Sequence, residues 1–139
     1  GRCNVTNSIS EPRELSTYYP RGGKSLIGPF NQFTSTDTVA WFESRGVPIK
    51  KEADGRMFPK SNKSESILQC LLNQSDKLNI EVRLHTNVLD IYASESGWKV
   101  VCADIDFDCG KLVIGAGSSA RIWGILKKLE IQIVERAVQ

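Results

Sequence analysis

The stretch that most constrains this chain is Lys111 to Glu135, KLVIGAGSSARIWGILKKLEIQIVE, which predicts a strand, a glycine turn, a helix and a second strand in succession. Lys111-Leu112-Val113-Ile114 is a short apolar run rich in β-branched residues, and Gly115, Gly117 and Ala120 follow it in the spacing G-x-G-x-x-A. That spacing has a mechanism. Two glycines let the backbone turn tightly and approach a phosphate, the third small residue lets the helix pack on the strand, and the helix N-terminus offers unpaired N–H groups and the positive end of its dipole. Glu135 closes the next apolar run, Ile131 to Val134, about 20 residues beyond the first glycine, where an acid can hold a ribose hydroxyl. On these residues alone the stretch reads as a free-standing nucleotide site running from Gly115 to Ala120 and on to Glu135. A helix that follows an ordinary glycine-rich turn fits the same letters.

The remaining bounds exclude several classes. At 139 residues and 40% hydrophobic content the chain has the size of one domain with its own core. Its 18 basic residues are dispersed among 16 acidic ones for a net charge of +2, which gives no footprint for nucleic acid or an anionic membrane. No apolar run approaches the roughly 18 residues of a membrane span, and the first residues resemble neither a signal nor a transit peptide. The four cysteines, Cys3, Cys70, Cys102 and Cys109, are scattered without a C-x-x-C pair. They read as thiols in a reducing soluble compartment, the cytoplasm or an organelle. With His85 the sole histidine, a structural zinc site lacks ligands, and no metal is expected. Three glycosylation sequons, at Asn4, Asn62 and Asn73, are too permissive to carry weight.

Along the chain, Tyr18-Tyr19-Pro20-Arg21-Gly22-Gly23-Lys24-Ser25 contains Gly-Lys-Ser but fails as a P-loop, since Tyr18 stands where the first glycine belongs and no apolar strand precedes it. A loop leading into a helix at Lys24 to Phe33 is expected instead. Ser35-Thr36-Asp37 offers N-caps for a short helix ended by Gly46 and Pro48. Val47 to Glu52 and Arg56 to Pro59 read as a hairpin turning at Asp54-Gly55, with Arg56 an exposed hairpin arginine in preference to an anion contact. Ser64 to Lys77 predicts a helix burying Ile67, Leu68, Leu71 and Leu72, with Cys70 assigned to packing. Ile80-Glu81-Val82-Arg83-Leu84 alternates as a half-buried strand returning from a βαβ crossover. Thr86 to Tyr92 and Trp98 to Cys102 form a second hairpin, with a third run at Asp104 to Phe107. His85 has no acid–base partner identifiable from sequence and reads as structural or exposed.

Gly1-Arg2-Cys3-Asn4-Val5-Thr6-Asn7 has no helical or strand period. It is similar to the segment that follows the N-terminal dinucleotide-binding βαβ unit in the HI0933-like (BaiN-like) FAD-dependent oxidoreductases. Tyr18 to Lys24, Asp37 to Glu43 with Gly46-Val47-Pro48, and Asp54 to Pro59 resemble successive blocks of that family in the same order. The resemblance implies an α/β fold: a partial FAD-binding two-dinucleotide-fold domain with a β-hairpin or meander and packed helices. It also implies a piece of a larger fold, with the N-terminal βαβ unit and the inserted substrate domain absent or truncated over residues 1–139. In the family's order Leu112 to Gly117 matches an Ala-Thr-Gly segment that closes over the FAD pyrophosphate, which is preferred here over an independent nucleotide fold. Ala116 stands where that segment has threonine, so one ligand hydrogen bond is in doubt there.

Carried over residue by residue, the resemblance assigns Gly1, Arg2, Cys3, Asn4, Thr6, Asn7, Val88, Gly115, Ala116 and Gly117 to the cofactor. FAD is the implied cofactor, NAD(P)H a candidate electron donor and an unidentified small molecule the substrate. Electron or hydride transfer is the implied chemistry, and no catalytic residue is assigned. Two other classes stand beside it: a truncated α/β domain without catalysis, serving as an interaction module or a relic, and the free-standing nucleotide binder above.

Overall fold

The computed structural model describes residues 1–117 and 119–131. The chain divides into two compact units, Gly1–Val82 and Arg83–Gln139.

The first unit is built on a short antiparallel sheet. Strand β1 (Thr6–Asn7) pairs with β3 (Arg56–Pro59), which also pairs with β2 (Ile49–Lys51), giving the order β1-β3-β2. The register sets Thr6 opposite Met57 and Lys50 opposite Phe58. Three helices precede β2: α1 (Pro12–Thr17), α2 (Gly23–Gln32) and α3 (Ser35–Glu43); α4 (Ser64–Lys77) follows β3. Helix α3 begins at a capping box one residue before the expected caps: Thr34 Oγ1 accepts the Asp37 N–H at 3.1 Å, and Asp37 Oδ2 accepts the Thr34 N–H at 2.8 Å. The core gathers Phe42 from α3, Val47 and Ile49 around β2, and Ile67 and Cys70 from α4; Cys3, Val5, Trp41 and Met57 pack against it. Cys70 is therefore a packing residue, as its apolar surroundings predicted.

Two expectations need correction here. Helix α4 buries Ile67 and Cys70, while Leu68 and Leu71 are exposed and Leu72 is half-buried. Residues 67, 68, 71 and 72 straddle two rows of the helix surface, and only the row through 67 and 70 faces the sheet. Ile80 to Leu84 forms no strand. Its alternation is real, but a strand exists through its ladder, and among the described residues none pairs with this segment; Ile80, Val82 and Leu84 are all exposed. The βαβ crossover expected there is not formed by the described residues.

The second unit is a meander, β4 (Val88–Ser94), β5 (Gly97–Cys102) and β6 (Asp106–Cys109), followed by helix α5 (Ala120–Lys128). A register shift between Val88 and Asp90 marks a bulge in β4. Gly97 opens β5 with φ +147°, and a Cβ there would overlap the Cys109 carbonyl and lie 2.7 Å from the Gly110 Cα, so only glycine lets the strands close at that point. Ile91, Val100, Cys102 and Ile125 are buried. Lys111 to Ile114 does not form the expected strand, again for want of a paired neighbour among the described residues, and Val113 is 92% exposed. The second strand proposed at Ile131 to Val134 falls almost wholly outside the described residues.

Candidate functional site

The residues assigned to the cofactor are distributed over both units. In the first, Gly1 to Asn7 runs along the sheet: Val5 and Ser8 donate to the Met57 and Gly55 carbonyls, each at 2.8 Å, so the segment extends the β1–β3 pairing at both ends. This explains why it shows no period. Its strand is only two residues long and is held by partners about 50 positions away in sequence. Cys3 and Val5 pack against the core, and Asn4, Val5, Thr6 and Asn7 all line a cavity of about 420 Å³.

Arg2 is engaged elsewhere. Its guanidinium stacks 4.0 Å above the Phe58 ring and pairs with Glu52. Arg56 pairs with Asp54 at 2.6 Å on the exposed hairpin, in agreement with a surface role. The Asp54 carboxyl is held below its ordinary range, first by the Arg56 backbone N–H and then by the Arg56 side chain.

In the second unit Val88 is half-buried at the start of β4, paired with Cys102. Gly115, Ala116 and Gly117 form an exposed turn, in which Gly117 has φ +57°. Built at either glycine, a Cβ meets nothing within 4 Å, so the bare backbone faces open space. The turn is fixed to the helix that follows: Trp123 Nε1 donates to the Gly117 carbonyl at 3.3 Å. Ser119 caps α5, its hydroxyl accepting the Ile122 N–H at 3.4 Å. Turn and helix thus stand where the G-x-G-x-x-A spacing placed them. Glu135, the acid of the free-standing nucleotide reading, lies outside the described residues.

His85 is exposed, with φ +57°. Among the described residues no group of His, Cys, Asp and Glu side chains could hold a metal ion. All four cysteines are unpaired. No helix of the described residues is long and apolar enough to cross a membrane.

Sequence reasoning missed the aromatic wall of the cavity, made by Tyr18, Tyr19, Phe30 and Phe33. Helix α1 brings the two tyrosines there. Glu11, which caps it, and Pro12 at its first turn were a readable start signal in a helix only six residues long.

The sequence profile of the HI0933-like protein Rossmann domain matches residues 1–136. The chain belongs to that family. It is 29% identical over 117 residues to the ribosomal RNA dihydrouridine synthase of Escherichia coli K12, a match covering 84% of this chain and 28% of that protein. It is 23% identical over 120 residues to the 3-dehydro-bile acid delta(4,6)-reductase of Clostridium scindens, covering 86% of this chain and again 28% of the relative. The chain thus spans little more than a quarter of the length of either relative.

Proposed function

We propose that this chain is the part of an FAD-dependent oxidoreductase that carries one section of the flavin site. The observation that supports this most is the family match over residues 1–136, which takes in every residue assigned to the cofactor. The residues present fit such a group. Gly115 and Gly117 offer backbone with open space where a side chain would stand, the capped N-terminus of α5 follows, and Asn4, Thr6 and Asn7 supply polar groups beside a cavity.

FAD, when bound, supplies two-electron reduction chemistry. The protein's share is to hold and orient it: Gly115 to Gly117 through close backbone approach, Val88 through its main chain, and Gly1 to Asn7 through backbone and amide groups. Arg2, paired with Glu52, contributes by fixing this segment against Phe58. NAD(P)H is the electron donor in this reading. One relative is named a dihydrouridine synthase and the other a delta(4,6)-reductase, and reduction of an unidentified small molecule is the activity this chain would serve. The four unpaired thiols favour a reducing compartment.

Titration of the purified chain with FAD, followed by flavin fluorescence, tests the reading. Saturable quenching that is lost in Gly117→Val is expected. A chain that melts cooperatively yet leaves flavin fluorescence unchanged overturns it.

A further inference from the structure

The turn at Gly115 to Gly117 is held mainly from its C-terminal side. Before it, Lys111 to Ile114 joins no ladder among the described residues, so no strand pairing there fixes the direction in which the turn leaves the meander. After it, α5 is well seated. Its first turn closes with the Trp123 N–H on the Ser119 carbonyl at 3.0 Å, Ile125 is buried, and Lys128 Nζ lies 3.4 Å from Asp90 Oδ2 on β4. Side chains of a helix lean back toward its N-terminus, so an aromatic residue in that first turn reaches over the residues that precede the helix. Trp123 does this: its Nε1–H donates to the Gly117 carbonyl, six positions back, at 3.3 Å.

The bond lands on the residue whose conformation most needs a partner. Of the three turn residues only Gly117 has a positive φ, +57°. Glycine takes either sign of φ with similar ease, so its own sterics do not select the left-handed bend and contacts with neighbours must. The indole N–H is such a contact, and it is a donor with no competing acceptor on the same ring. It also acts on charge. A carbonyl oxygen left bare beside a phosphate repels it, and a donor on that oxygen offsets part of the repulsion.

We infer that Trp123 is a positioning residue for the cofactor turn: its indole N–H holds the Gly117 carbonyl, and so keeps the turn in the left-handed bend from which its backbone meets the diphosphate of a dinucleotide. Trp123 acts through Gly117. The inference rests on the flavoprotein reading above and adds to it a residue outside every segment assigned to FAD there.

Trp123→Phe removes the donor and keeps a ring on the helix. Titration of the parent and variant chains with FAD, ADP and riboflavin tests the inference. FAD and ADP carry the diphosphate and should each bind the variant about threefold to tenfold more weakly, the loss expected for one hydrogen bond. Riboflavin carries none and should bind both chains alike. A residue that only supported the fold would weaken all three ligands together. A second measurement does not depend on the variant folding: in the nitrogen–proton NMR spectrum of the parent chain without ligand, the Trp123 indole proton should exchange with water at least about tenfold more slowly than that of free tryptophan, and its signal should move when ADP is added. Equal FAD and ADP affinity in a folded variant, a loss of riboflavin affinity in the same proportion, or an indole proton that exchanges as fast as free tryptophan overturns the inference. ADP binding that weakens in the variant, with no FAD binding to the parent, would leave Trp123 and the turn standing and remove the flavoprotein reading. Binding of neither ligand to a folded parent chain would remove both.

Discussion

Gly115→Ala and Gly117→Ala separate a functional glycine from a structural one. At Gly115 the backbone is outside the left-handed region and a Cβ meets nothing within 4 Å. Alanine there should leave stability unchanged or raise it by about 0.4–1 kcal/mol, through the smaller entropy of the unfolded chain. At Gly117 the space is equally open but φ is +57°. The left-handed conformation costs a residue with a Cβ about 1–2 kcal/mol, the unfolded-state gain offsets about 0.4–1 kcal/mol of it, and a net loss of about 1 kcal/mol follows. Neither substitution therefore threatens the fold. Both place a methyl group where a pyrophosphate would contact bare backbone, and FAD affinity should fall at least tenfold, or about 1.4 kcal/mol. Urea unfolding followed by tryptophan fluorescence gives the stability term, Trp98 and Trp123 reporting on the second unit, and a parallel FAD titration gives the binding term. Unchanged FAD affinity in both variants would refute the assignment of this turn to the cofactor. A loss of stability in Gly115→Ala well above 1 kcal/mol would refute the reading of the turn as open.

Gly97→Ala should behave in the opposite way: overlap with the Cys109 carbonyl and a φ of +147° combine to about 3 kcal/mol or more of destabilisation, read from the same urea curves, and a neutral result would contradict the β5–β6 geometry. Thr34→Ala removes one half of the α3 capping box and should cost about 1 kcal/mol in the unfolding of the first unit. Asp90 accepts the Ile91 N–H and the Tyr92 hydroxyl and lies 3.4 Å from Lys128 Nζ, and these partners, the backbone N–H foremost, hold its carboxyl below the ordinary value. Because the folded pKa is depressed, its stabilising contribution is complete above the unfolded value of about 3.9 and disappears as the pH falls through the folded one. Asp90→Asn should flatten the acid limb of the Tm profile below about pH 4; a limb identical to that of the parent chain would show that this carboxylate does not contribute to it.

Legibility in the sequence followed how local the determining contacts are. Helix α4 was predicted with its observed bounds because Ser64 to Lys77 carries its own period, and β3 was readable because the Asp54-Gly55 turn fixes its start. The segments that failed are those whose state depends on a neighbour. Ile80 to Leu84 and Lys111 to Ile114 have strand composition without a ladder among the described residues, and Thr6–Asn7 is a strand only because Met57 and Arg56 lie opposite. The site divides in the same way. The turn at Gly115 to Gly117 and the helix after it were visible as spacing, whereas the cavity was not, because Asn4, Asn7, Tyr19 and Phe30 are brought together by folding.

The two buried thiols give the molecule a built-in pair of clocks. Cys70 lies in the core of the first unit and Cys102 is buried in the second, while Cys3 and Cys109 are only half-covered. A thiol reagent supplied in excess should label the latter two promptly and each buried sulfur only when its own unit opens. Peptide mapping of the labelling times would then show whether the two halves breathe together or separately, and whether a ligand offered to one half slows the opening of that half alone.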